Sequence, residues 1–130
     1  MFDTVPPALG DGDQTTIDTG LTRPRPGVLL LTASGEVDTL TAPLLDAAIG
    51  ELVGAAEPVL AVDLTGISFL ASSGLAVLIR AAHRAAADGR RLRLVTHGRP
   101  VLRPLQITGT DALFDLHTDV ETALVPDRDV

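Results

Sequence analysis

The chain has 130 residues, 45% of them hydrophobic, a formal net charge of −7, and no cysteine. That length suits one domain with a core that needs neither disulfides nor metals, and the missing cysteines exclude thiol catalysis and cysteine-ligated zinc. The acidic balance argues against nucleic-acid binding, which depends on clustered positive charge, and the three aromatics Phe2, Phe69 and Phe114 are too few for base-stacking platforms. No apolar run reaches the length of a membrane span, and there is no basic residue before Arg23 to start a signal peptide. We therefore expect a cytoplasmic protein with no membrane partner.

In chain order, residues 1–13 carry Pro6, Pro7, Gly10 and Gly12 with little apolar periodicity, and are expected to form a flexible N-terminal tail. Ile17, Thr19 and Leu21 alternate like a half-buried edge strand. The segment Arg23–Gly27 then turns the chain into Val28-Leu29-Leu30-Leu31, so the first two strands should form a hairpin. A helix follows Asp38: Thr41 can cap it, Pro43 suits its first turn, and Leu45, Ala48, Ile49 and Leu52 line one face before Gly54 and Pro58. Val59–Leu64 reads as a buried strand, then a short turn, then a helix with Leu75, Leu78, Ile79, Ala82 and Ala86 on its apolar stripe and Gly89 at its end. Leu92, Leu94 and Val95 make a further strand. Pro100 and Pro104 predict a short or kinked helix reaching Ile107, since Pro104 should crowd a helix that began early. Leu113–His117 suggests a brief edge strand, and Thr118 with Glu121 a capping box for a last helix ended by Pro126. Strands alternating with helices give an α/β fold with a mixed, mostly parallel sheet of four or five strands and about four helices. The domain spans 14–125, followed by a C-terminal tail over 126–130.

Ser72 and Ser73 open the helix after the central strand, where free backbone N–H groups and the positive end of the helix dipole favour an anion. Two readings of these serines stand: a helix cap, and a phosphorylation switch gaining about −1.5 to −2 charges. Glu36 and Asp38 lie at the start of the first helix, as turn residues or as partner contacts. Asp63 reads as a turn residue just past its strand. Between residues 71 and 110 lie Arg80, Arg84, Arg90, Arg91, Arg93, Arg99 and Arg103 against Asp88 alone. This basic middle reads either as solvated faces or as a docking face for an acidic partner. Ser73 is not in Gly-x-Ser-x-Gly, there is no lysine for Ser-x-x-Lys, and His83, His97 and His117 are scattered. No phosphate-binding glycine loop follows a strand. We expect no catalytic residues, no cofactor, no metal and no enzyme.

The run Asp63-Leu64-Thr65-Gly66, then Ala71-Ser72-Ser73-Gly74-Leu75, resembles the signature of the STAS family of anti-sigma factor antagonists. So do Ser34-Gly35-Glu36-Val37-Asp38 with Ala42-Pro43, and Leu105-Gln106-Ile107-Thr108-Gly109 with Leu113-Phe114. One departure is Ala71, where the family usually has aspartate. The resemblance implies that Ser73 is the phosphoacceptor, with Ser72 as the alternative, and that Asp38, Ser72, Ser73, Gly74 and Leu75 face the partner. It implies as partners an anti-sigma factor that is also a serine kinase, and a serine phosphatase. The alternative within the family is an unphosphorylated scaffold in a stress-sensing or transporter assembly.

Overall fold

Side chains of alternate residues divide the two longest strands between opposite faces of one sheet, and the helices assemble on those faces. The computed structural model describes residues 16–126. The elements are β1 (Asp18–Arg25), β2 (Val28–Val37), α1 (Ala42–Gly54), β3 (Val59–Leu70), α2 (Ser72–Ala87), β4 (Arg93–Val95), α3 (Arg99–Thr108), a 3-10 turn (Thr110–Leu113), β5 (Asp115–His117) and α4 (Val120–Ala123). The five strands lie in the order β1-β2-β3-β4-β5, β1 antiparallel to β2 and all other neighbours parallel. The expected α/β class, the hairpin and the mixed sheet are all present. The expected tail at 1–13 lies outside the described residues, as does most of that at 126–130.

Leu29, Leu31 and Ala33 of β2 and Leu60, Val62 and Leu64 of β3 point into the main core, with Leu45, Ile49 and Leu52 of α1, Leu75 and Leu78 of α2, and Val101 and Leu105 of α3. Val28, Leu30, Val59 and Ala61 point the other way, where Val120, Ala123 and Leu124 at α4 cover them. Each large aliphatic side chain buried this fully contributes roughly 1.5–3 kcal/mol, so the larger face carries the fold.

Several local expectations change. The segment read as a turn after Leu64 is strand: β3 runs on to Leu70 because β2 pairs with it as far as Val37. Register shifts between Thr32 and Ser34 and between Gly35 and Glu36 absorb the irregularity, and a Cβ on Gly66 would lie 2.7 Å from Ser34 Cβ. Asp63 is therefore inside the strand, its carboxylate accepting from the Thr65 N–H at 3.0 Å and hydroxyl at 2.7 Å. Thr19 and Leu21 of the edge strand β1 are exposed, and Ile17, just before it, is buried in the main core.

Thr41 occupies the N-cap position of α1, but its hydroxyl turns back to the Glu36 carbonyl at 2.7 Å instead of capping the helix. Ala86 is exposed while Val77, Ala81 and Ala85 are buried, because α2 is packed against both the sheet and α1 and so buries a wider arc. Helix α3 starts at Arg99 and passes through Pro104, an early start that the sequence argued against. Asp119, not Thr118, caps α4, accepting from the Thr122 N–H at 2.9 Å.

Candidate functional site

The loop leaving β2 and the first turn of α2 meet at the C-terminal ends of the parallel strands. The Ala71 N–H donates to the Val37 carbonyl at 2.8 Å, fixing the start of α2 beside the loop that begins at Asp38. That loop is held by its own aspartate: Asp38 Oδ1 accepts from the Leu40 N–H at 2.9 Å and the Thr41 N–H at 3.0 Å. The Asp38 N–H donates to the hydroxyl of Thr41, which is fully buried. These contacts hold the Asp38 carboxyl below the usual carboxylate range, the Thr41 backbone N–H first among them. The turn role expected for Asp38 is thus occupied by specific bonds, and Leu40 is left 67% exposed at the loop tip.

Ser72 and Ser73 are the first two residues of α2, and neither caps it. The N-cap is Ala71, in extended conformation, with no side-chain acceptor for the first-turn N–H groups. The Ala71 carbonyl accepts from the Gly74 and Leu75 N–H groups, both at 3.0 Å. Ser72 is exposed. Ser73 is half-buried, and its Oγ is buried without a hydrogen-bond partner. Gly74 is buried against Val37 and Leu70, and Leu75 belongs to the core. Of the residues expected to face a partner, Asp38 and Ser72 therefore reach the surface, Ser73 does so only in part because its hydroxyl is buried, and Gly74 and Leu75 support them from beneath.

Ser73 lies in a groove of about 420 Å³ between α1 and α2, whose walls include Thr39, Pro43 and Asp46, with Arg80 two turns along α2. Asp46 and Arg80 form an exposed ion pair at 3.7 Å. Ser72 opens on the other side to a groove of about 560 Å³, bounded by Phe69 of β3 and by Arg99, Arg103 and Ile107 of α3.

The basic middle of the sequence divides between these places and the scaffold. Arg90 donates to the carbonyls of Val53, Ala55 and Glu57, and Arg91 to Asp115, Ala112 and Phe114. Arg93 is buried and donates to the Ala123 carbonyl at 3.0 Å and to that of Val125. Only Arg99 and Arg103 of this series line the groove beside Ser72. They were missed as individual site residues; the available signal was Arg99, Arg103 and Ile107 at i, i+4, i+8, an exposed stripe beside the buried Val101 and Leu105.

Among the described residues no group of three or more His, Asp or Glu is arranged to hold a metal, and no helix is long and apolar enough to cross a membrane.

A five-stranded sheet with a serine pair opening the helix after its central strand defines a class, and residues 21–123 match the family model "STAS domain". The chain belongs to the STAS domain family. It is 34% identical over 98 residues to the anti-sigma-F factor antagonist RsfB of Mycobacterium tuberculosis, covering 75% of this chain and 80% of that one. It is similar in structure to an anti-sigma factor antagonist from Mycobacterium paratuberculosis, with TM-score 0.77 and 34% identity, covering 85% of this chain and 92% of that one. The Bacillus cell fate determinant SpoIIAA in its phosphorylated form shares the fold, with TM-score 0.63 and 18% identity, covering 81% of this chain and 96% of that one. These relatives are regulators and not enzymes, in agreement with the sequence expectation.

Proposed function

We propose that this protein is a cytoplasmic anti-sigma factor antagonist: it binds an anti-sigma factor that is also a serine kinase, releases a sigma factor, and is switched off when that kinase phosphorylates Ser73. The observation that carries the reading is the unpartnered Ser73 hydroxyl in the first turn of α2, beside the Asp38 loop and at the edge of an open groove. Because the hydroxyl makes no hydrogen bond in its inward position, turning it about χ1 toward the groove breaks none. A phosphate there meets first-turn N–H groups and the positive end of the α2 dipole, which stabilise the free modified protein. On a face that a partner must cover, the same charge has to be desolvated, which weakens the complex. A serine phosphatase resets the cycle. The match to RsfB supports this reading, since that relative antagonises an anti-sigma factor.

The inward position of the Ser73 hydroxyl and the missing acceptor at Ala71 favour a second reading, an unphosphorylated STAS scaffold in a stress-sensing or transporter assembly. One experiment separates them. The protein is mixed with each anti-sigma kinase of its source organism, with and without ATP and Mg²⁺, and complex formation is scored together with phosphate incorporation. The switch requires a complex that dissociates with ATP, Ser73→Ala that binds but takes up no phosphate, and Ser73→Asp that binds weakly. Full labelling of Ser73→Ala moves the acceptor to Ser72, and stable binding without labelling supports the scaffold.

A further inference from the structure

The groove between the end of β3 and α3 has a composition that the serine switch does not use. Apolar side chains, including Phe69, Leu75, Pro104 and Ile107, supply most of its surface, and its volume of about 560 Å³ falls in the range of small-molecule sites. Phe69 and Ile107 stand 50% and 70% exposed, so their apolar surface faces water. Arg99 and Arg103 line the same groove from successive turns of α3, and no carboxylate lines it. Among the described residues neither arginine joins an ion pair, whereas Arg80, Arg90 and Arg91 are matched with Asp46, Asp88 and Asp115. Like charges one turn apart on a helix repel, and an anion between them removes that repulsion. Ser72, exposed and carrying a hydroxyl that can donate, also lines the groove.

We propose that this groove binds a small amphipathic anion, a molecule with an apolar chain and a carboxylate or phosphate head. The head pairs with Arg99 and Arg103 within reach of Ser72, and the chain lies over Phe69, Leu75 and Ile107. Because Ala71 and Ser72 belong both to the groove and to the start of α2, an occupied groove crowds the surface beside Ser73. The ligand and a protein partner then compete for one end of the sheet.

The test is a titration of the full chain, followed by amide chemical shifts in ¹H–¹⁵N NMR. Dodecyl phosphate and dodecanoate are the probes, kept below micelle formation, with dodecyl maltoside and inorganic phosphate as controls. The expected result is saturable shifts at Phe69, Ser72, Leu75 and Ile107. The two amphipathic anions should bind about tenfold or more tightly than the neutral detergent, as one charge-assisted contact predicts. Arg99→Gln with Arg103→Gln should abolish that preference, and Ile107→Ser should weaken both anions. All three positions are exposed, so unchanged circular dichroism is expected to verify the fold. Equal affinity for the neutral detergent, or inorganic phosphate shifting the same amides as strongly, overturns the proposal. So does absence of saturable shifts; if the double arginine variant then weakens a complex with an anti-sigma kinase, the groove belongs to the protein partner. None of these readouts involves Ser73, so the outcome is independent of whether that serine is a switch.

Discussion

Gly74 packs against Val37 so closely that a Cβ on it would lie 2.5 Å from Val37 Cγ1, and 2.6 Å from Leu70 Cδ1. Both contacts are with side chains that end strands β2 and β3, so the first turn of α2 is seated directly on the strand ends. The serines preceding Gly74 take their position from that seat.

Gly74→Ala should therefore destabilise the protein. Alanine is favoured over glycine within a helix by about 0.8–1.0 kcal/mol, but forcing a methyl group into this contact costs about 1–3 kcal/mol. A net loss of about 1 kcal/mol is expected, read as a lower urea midpoint with an unchanged m-value. A midpoint at or above that of the wild type would show that Val37 and Leu70 yield freely.

Ala71→Asp should have the opposite effect. The extended backbone at Ala71 is already that of an N-cap, and a carboxylate there gains access to the unpaired N–H groups of the first turn. The expected gain is about 1 kcal/mol, measured by thermal or urea unfolding. No gain would mean that the first turn is already satisfied.

Ser73→Ala should leave the free protein as stable as before or more so, by up to about 1 kcal/mol. The substitution removes a buried hydroxyl that has no partner and replaces it with the residue best suited to a helix. Ser72→Ala, at an exposed position, should change stability by less than about 0.5 kcal/mol. A clear loss of stability in Ser73→Ala would reveal a hydrogen bond for Oγ and undercut its freedom to turn outward.

Asp38 should titrate below the ordinary aspartate value of 3.8, because its charged form accepts the Thr41 and Leu40 N–H groups. The sign follows directly: with the folded value depressed, the bonds of this loop contribute fully above the unfolded value. Their contribution fades as pH falls through the folded value. Carboxyl NMR titration gives the midpoint, and amide exchange of Leu40 and Thr41 should accelerate in Asp38→Ala at neutral pH. A midpoint above 3.8 would contradict the loop geometry.

The order of strands and helices was legible because the short unbroken apolar runs Val28–Leu31 and Val59–Val62 and the helical spacing of Leu45, Ile49 and Leu52 are local patterns. The position of the serine pair at the start of a helix was legible for the same reason. What was not legible depends on neighbours distant in sequence. Thr65-Gly66 looks like a turn until β2 pairs alongside it, and Thr41 looks like a cap until Glu36 offers its carbonyl. The burial of the Ser73 hydroxyl is a product of tertiary packing, which no spacing encodes. The separate fates of the arginines were equally hidden: Arg90 finds the end of α1, Arg93 the end of α4, and Arg99 and Arg103 an apolar groove.

Arg93 reaches through the rear of the sheet to hold the carbonyls of Ala123 and Val125, tying down a helix only four residues long. That helix rests over Val28 and Val59, at the far ends of the strands from Ser73. This clamp keeps Ala123 and Leu124 buried against the strand starts although the helix itself is a single turn. Loosening the Arg93 clamp is therefore expected to disturb the strand starts first, with the length of the sheet between them and the serine pair.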